Sequence, residues 1–251
     1  VPDSLKTFGF ENVKVVPEQA TPDGNFPTVH SPNPEEPAAL KMALEKAQEI
    51  DADLVMGTDP DSDRVGIAVK NDKGDFVLLN GNQAASLLIY YILTKWSEKN
   101  MFKGNEIIVK TIVTTELLSD IAAKFSLPCP DVLTGFKWIA ELIRKNEGKV
   151  KYIAGGEESY GYMIGDFVRD KYAISACSMI AEATAWAKNN GRSLFDLLLD
   201  IYTEFGFYKE KLISVVRKGK SGSEEIQAMM AGYRDNPPST INNSKVIRIK
   251  D

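Results

Sequence analysis

A chain of 251 residues, 43% hydrophobic and 26% charged, has the make-up of an ordinary globular protein and room for about two domains with cores of their own. Its net charge of −5 argues against nucleic acid or an anionic membrane as the main partner, since both demand clustered cations, but leaves room for a small anion held by a few local lysines and arginines. No run approaches the roughly 20 apolar residues that cross a bilayer and no signal peptide opens the chain, while its two cysteines, Cys129 and Cys177, lie in apolar segments without metal-ligand spacing and read as reduced, buried thiols of a cytoplasmic protein.

Val1, not Met, opens the chain, and the residues from Val1 to Phe10 read as a helix. Val13–Val16 reads as a strand. Glu35–Ile50 has apolar residues near helical spacing (Leu40, Met42, Leu44, Ala47, Ile50) and predicts a helix. Asp53–Met56 predicts a strand, followed by a polar turn. Val65–Val69 and Phe76–Leu79 predict a hairpin around Asn71-Asp72-Lys73-Gly74, and Asn82–Trp96 a long helix. A polar break at Lys99-Asn100 and Lys103-Gly104-Asn105 suggests a domain boundary. Beyond it come strand Glu106–Val109, helix Glu116–Phe125, strand Asp131–Leu133, helix Lys137–Arg144, strand Lys151–Ala154, and helices Tyr172–Lys188 and Leu194–Thr203. From about Tyr208 a further strand is expected, then a helix around Ser223–Tyr233, a turn at Asn236-Pro237-Pro238 and a final strand over Lys245–Lys250, so both ends read as cut from something longer. The rhythm predicts an α/β protein of tandem domains with mixed, mainly parallel sheets, divided as 1–103, 104–207 and an incomplete 208–251.

Three loops carry chemistry. Gly57-Thr58-Asp59-Pro60-Asp61-Ser62-Asp63-Arg64 follows a strand and places three carboxylates at alternate positions. Carboxylates brought that close repel one another unless a cation cancels their charge, and an all-oxygen set suits Mg²⁺ or Ca²⁺. An EF-hand needs Gly at loop position six and Glu at twelve; Arg64 and Lys70 stand there, so that motif is excluded. Arg64 is placed to grip a phosphate whose oxygens reach the same cation. The bland alternative is a solvated acidic turn.

Gly155-Gly156-Glu157-Glu158-Ser159-Tyr160-Gly161-Tyr162 also follows a strand. Its glycines allow close backbone approach, and Glu157 and Ser159, two apart, can face one side toward vicinal hydroxyls. It lacks the G-x-G-x-x-G of a dinucleotide site, and a plain polar turn is its alternative. Thr134-Gly135-Phe136-Lys137-Trp138 sits at a strand-to-helix junction that favours anions, although a lysine there is often only solvated. All three loops follow strands, where ligands gather in open α/β sheets.

In this order the loops resemble those of the α-D-phosphohexomutases, the family that includes phosphoglucomutases and phosphomannomutases, and Gly-Glu-Glu-Ser-Tyr-Gly is closest to its phosphoglucomutase and phosphopentomutase branch. Asp23-Gly24-Asn25-Phe26-Pro27 and Ser31-Pro32-Asn33-Pro34-Glu35 resemble the stretch that precedes the family's metal loop. The resemblance implies tandem domains like the family's second and third. It implies Mg²⁺ on Asp59, Asp61 and Asp63, with Arg64 on the phosphoserine phosphate. Glu157 and Ser159 would read sugar hydroxyls, with Thr134, Gly135 and Lys137 facing the sugar or its phosphate, and Lys171 would stand at the reaction centre. Where some members carry a His as general base, Tyr160-Gly161-Tyr162 stands here, and the lone His30 is expected to be peripheral.

The implied activity is phosphoryl transfer between C1 and C6 (or C1 and C5) of a sugar phosphate through a sugar bisphosphate. Neither the family's phosphoserine loop nor its Arg-x-Ser-Gly-Thr-like phosphate loop occurs in the chain, so domains one and four are expected as partners and the fragment alone is expected to be inactive. Two other readings are a phosphatase of the haloacid dehalogenase type, which wants Thr or Val where Asp63 stands, and a non-catalytic metal- or sugar-binding module.

Overall fold

A computed structural model describes residues 1–210 and 215–250, with Val1–Tyr208 forming one unit and Lys209–Asp251 another. Helices α1 (Pro2–Thr7) and α2 (Lys41–Glu49) bracket a segment that is irregular apart from short 3-10 turns at Pro17–Gln19 and Pro37–Leu40. The strand predicted at Val13–Val16 is not formed. No strand lies beside it among the described residues, and an extended segment without ladder partners has no reason to settle into β geometry. The helix predicted from Glu35 starts instead at Pro37, a residue suited to a first helical position because its missing N–H would be unbonded there in any case.

The first sheet is an antiparallel meander of β1 (Leu54–Thr58), β2 (Val65–Lys70) and β3 (Phe76–Leu79). Between β2 and β3, the Asn71 side chain accepts from the N–H groups of Lys73 and Asp75, and Gly74 supplies the positive φ of 83° that closes the turn. Alternation along β2 sorts its side chains: Val65, Ile67 and Val69 enter the main core, while Ala68 packs with Val55 and Ala47 of α2 on the opposite face.

Helix α3 (Gly81–Glu98) begins with a reciprocal cap, in which Asn80 and Gln83 each bond the other's backbone N–H, worth about 1 kcal/mol. It is apolar on most sides because it packs against several helices and a strand from later in the chain. The elements C-terminal to α3 are β4 (Glu106–Thr111), α4 (Leu117–Lys124), β5 (Asp131–Val132), α5 (Phe136–Lys145), β6 (Lys151–Gly156), β7 (Tyr162–Ile164), α6 (Ala173–Asn189) and α7 (Leu194–Phe205). Their sheet runs β5-β4-β6-β7, parallel across the first three strands and antiparallel at β7. Period two again decides the faces. Ile108 and Ile153 enter the main core, whereas Ile107, Val109 and Tyr152 pack under Phe136, Ile139 and Ile143 of α5.

The main core takes Leu88 and Ile92 from before the polar break and Ile121 and Ile180 from after it, so packing is continuous through it. Among the described residues no helix is long and apolar enough to cross a membrane. Burial pushes the thiol of Cys129 up to about 11 and that of Cys177 up to about 12, which keeps both protonated.

The second unit holds α8 (Gly219–Asp235) and a two-stranded hairpin, β8 (Thr240–Ile241) and β9 (Ser244–Lys245), turned by Asn242 and Asn243 at φ 48° and 61°. The final strand expected over Lys245–Lys250 is thus limited to its first residue. The strand expected from about Tyr208 runs into residues 211–214, which lie outside the described residues.

Candidate functional site

The acidic loop joins β1 to β2, with Thr58 opposite Val65 at its neck. Asp59 shapes it: its Oδ1 accepts the N–H groups of Asp63 and Arg64, both at 3.0 Å, and Ser62 takes φ 57° to complete the turn. The alternation read in the sequence therefore bends inward. One carboxylate oxygen each from Asp59, Asp61 and Asp63 lies within 4.8 Å of the others, at a cleft of about 320 Å³ also lined by Ser31, Asn33 and Arg64. Asp61 is exposed and the other two are half-buried.

The charges are unevenly held. Burial, aided by the neighbouring Asp63, pushes the Asp59 carboxyl up to about 6. Burial acts on Asp63 in the same direction, but hydrogen bonds from Lys171 and Asp59 and the charges of Lys171 and Arg64 outweigh it and hold Asp63 below the usual carboxylate range. Among the described residues the Asp63 Oδ1 atom is buried without a hydrogen-bond partner, Arg64 Nε standing 3.6 Å away. An orphaned carboxylate oxygen and a strained neighbouring acid are what a bound cation would relieve, and the all-oxygen donors suit a hard divalent ion.

The glycine-rich loop joins β6 to β7, closed by Glu157 N–H donating to Gly161 O at 2.9 Å. Backbone pairing binds it to the acidic loop: Val65 N–H donates to Tyr160 O at 3.1 Å, and Arg64 bridges Gly161. The start of α6 joins in, with Ala173 N–H donating to Ser62 O at 2.9 Å. Lys171 ties the two loops through its side chain. Its stem crosses Gly161, where a Cβ would lie 2.2 Å from Lys171 Cδ, and its Nζ is 2.9 Å from Asp63 Oδ2. Desolvation lowers the Lys171 pKa, yet the bond to Asp63 and nearby acids win and raise it, so the group is an ammonium at neutral pH.

Glu157 is buried, and its Oε1 accepts Gly135 N–H at 3.0 Å, which fastens the start of α5 to the glycine-rich loop. Burial raises its pKa against the opposing pull of Lys171 and that N–H. Gly135 needs its freedom here, at φ 114°. Lys137 is exposed and lies over the Trp138 ring, 5.1 Å from its centroid. Thr134 is exposed and Ser159 half-buried, and neither side chain is hydrogen-bonded among the described residues. His30 is exposed.

Two acids escaped sequence reasoning. Glu35 bonds Arg64 across 29 positions, a separation no local spacing could disclose. Glu158, in the turn just after β6, accepts the hydroxyls of Thr111 and Thr114, each at 3.3 Å.

Comparison with known proteins bears on this arrangement. A model of phosphoglucomutase/phosphomannomutase α/β/α domain II matches residues 1–74, and one of domain III of the same family matches residues 80–205. The chain belongs to the phosphoglucomutase/phosphomannomutase family. Phosphoglucomutase of Staphylococcus haemolyticus (strain JCSC1435) is 38% identical over all 251 residues, and that of Staphylococcus aureus (strain MRSA252) 37%. In each case the chain spans 45% of the relative's length, about half. A crystal structure of a phosphoglucomutase/phosphomannomutase family protein from Burkholderia thailandensis shares the fold, with a TM-score of 0.56 at 21% identity over 71% of this chain and 35% of that one. The domain III match takes in α3, which the polar break at residues 99–105 assigns to the first domain.

Proposed function

We propose that this chain is the cation- and sugar-binding part of a cytoplasmic phosphosugar mutase that moves a phosphoryl group between C1 and C6, or C1 and C5, through a phosphoserine enzyme and a sugar bisphosphate. The observation that supports it most is the joining of the acidic and glycine-rich loops by backbone pairing at Arg64–Gly161 and by the ion pair of Lys171 with Asp63. A cation seat and a hydroxyl-reading loop fixed to each other can hold a phosphoryl group and a sugar in register, and positioning with charge stabilisation is most of what phosphoryl transfer asks of a protein. The two unpaired thiols, Cys177 buried and Cys129 half-buried where the sequence suggests burial for both, support the cytoplasmic placement.

Asp59, Asp61 and Asp63 would hold Mg²⁺, which when bound supplies charge to the oxygens of the transferring group. Arg64 orients the phosphate, Glu157 and Ser159 bind sugar hydroxyls, and Thr134, Gly135 and Lys137 border the sugar or its phosphate. Lys171, an ammonium at Nζ, offers a proton and positive charge on the sugar side of Asp63. Residues up to about 79 carry the cation side, 80–207 the sugar side, and 208–251 begin a further domain, while the remaining domains of the full-length protein supply the serine and the phosphate grip.

A coupled mutase assay tests this. The full-length protein is expected to interconvert hexose or pentose 1-phosphates with their terminal phosphates in a Mg²⁺-dependent way, and the 251-residue chain alone to be inactive. Turnover by the isolated chain, or a full-length protein that only releases phosphate, would overturn it.

A further inference from the structure

The arginine of the acidic loop is held from outside the loop. Arg64 Nη1 donates to Glu35 Oε1 at 2.8 Å, whereas its Nε stands 3.9 Å from Asp59 Oδ2 and 3.6 Å from Asp63 Oδ1. Only the first is a hydrogen bond, and a charge-assisted one. Glu35 is aimed by a rigid support. Asn33 Oδ1 accepts the Glu35 N–H at 3.0 Å, Asn33 O accepts the Glu36 N–H at 3.0 Å, and buried Pro34 sits so close to β2 that a Cβ on Gly66 would lie 2.5 Å from Pro34 O.

This support has a consequence for the triplet. Asp63 Oδ1 is buried and has no hydrogen-bond partner among the described residues, with Arg64 Nε 3.6 Å from it, while the ammonium of Lys171 holds the other oxygen, Oδ2, at 2.9 Å. Released from Glu35, Arg64 would have Asp59 and Asp63 as its nearest anions, and a guanidinium bonded to those oxygens would occupy the lone pairs a divalent ion needs. We propose that Glu35 is a positioning residue that draws the Arg64 guanidinium off Asp59 and Asp63, so that their oxygens stay available to a divalent cation. The proposal rests on the cation seat proposed above.

Calorimetric titration with Mg²⁺ alone, on the full chain, separates this from a simple field effect of one more acid. Glu35→Gln is expected to weaken Mg²⁺ binding about fivefold, the size of one partly exposed ion pair. Glu35→Asp keeps the charge but is a methylene too short to reach Arg64, and is expected to match Glu35→Gln. In an Arg64→Gln background, adding Glu35→Gln is expected to change the dissociation constant by less than about twofold, because the competitor is gone. Melting curves in chelator establish that each variant is folded. Should Glu35→Asp bind like the unsubstituted chain, or Glu35→Gln cost the same with and without Arg64, the positioning role is wrong and charge alone acts. Absence of any Mg²⁺ binding by the unsubstituted chain would remove the cation seat itself and this inference with it.

Discussion

Asp59→Asn is expected to weaken Mg²⁺ binding at least about a hundredfold and, in chelator at pH 7, to make the protein more stable. Both effects come from one oxygen arrangement. The Asn Oδ1 can still accept the N–H groups of Asp63 and Arg64 that shape the loop, so the fold of the loop survives while a charge on the cation is lost. The stability effect follows from the raised carboxyl, about 6 against an ordinary 3.8. Below about pH 4 Asp59 is protonated in folded and unfolded chains alike and costs nothing. Between the two values the folded state binds the proton more tightly, so stability falls as pH rises. Above about 6 the full penalty of an ionised, half-buried Asp59 is present, on the order of 1 to 3 kcal/mol. Thermal unfolding in chelator should therefore show Asp59→Asn above the unsubstituted protein at pH 7 and level with it at pH 3.5. Equal stability at both values would mean that burial does not strain this acid.

Gly81→Ala is expected to be the most damaging single methyl group in the first unit, costing about 3 kcal/mol or more. The added Cβ would lie 1.8 Å from Glu158 O and 2.6 Å from its carbonyl carbon, which are backbone atoms that cannot swing aside. Gly81 also accepts the Tyr162 hydroxyl at 2.9 Å through its carbonyl, so the start of α3 and the glycine-rich loop are packed and bonded at the same point. Relief has to come from movement of that loop, which carries Glu157 and Ser159. Urea unfolding measures the loss. Gly24→Ala, with nothing within 4 Å of the new atom, serves as the control and should shift stability by less than about 0.5 kcal/mol. A Gly81→Ala protein as stable as that control would contradict the tight docking of loop on helix.

Most of the architecture was legible because its signals are periodic. Val65, Ile67 and Val69 alternate and face one core, and the apolar length of α3 announces a helix buried on several sides. The short strand β7 was not anticipated, since Tyr162–Ile164 spans only three residues and is specified by its ladder to β6. Val13–Val16 misled in the opposite way: its β-branched composition suits a strand, but pairing partners are a tertiary matter. At the candidate site, the alternation of Asp59, Asp61 and Asp63 gave away their convergence, because a short hairpin loop can only bend them together. The Glu35–Arg64 pair and the turning of Glu158 toward Thr111 and Thr114 depend on segments brought together by folding. Lys137 illustrates a third case. Its place at a helix start suggests an anion, and the exposed side chain lies over Trp138, an aromatic contact that the sequence alone does not disclose.

That the three aspartates form a seat for a hard divalent ion is tested most directly by crystals of this chain soaked in Mn²⁺. An anomalous difference peak within coordination distance of Asp59, Asp61 and Asp63 is expected. Fully soaked crystals with no peak at the triplet, or with manganese bound only elsewhere on the molecule, would contradict it.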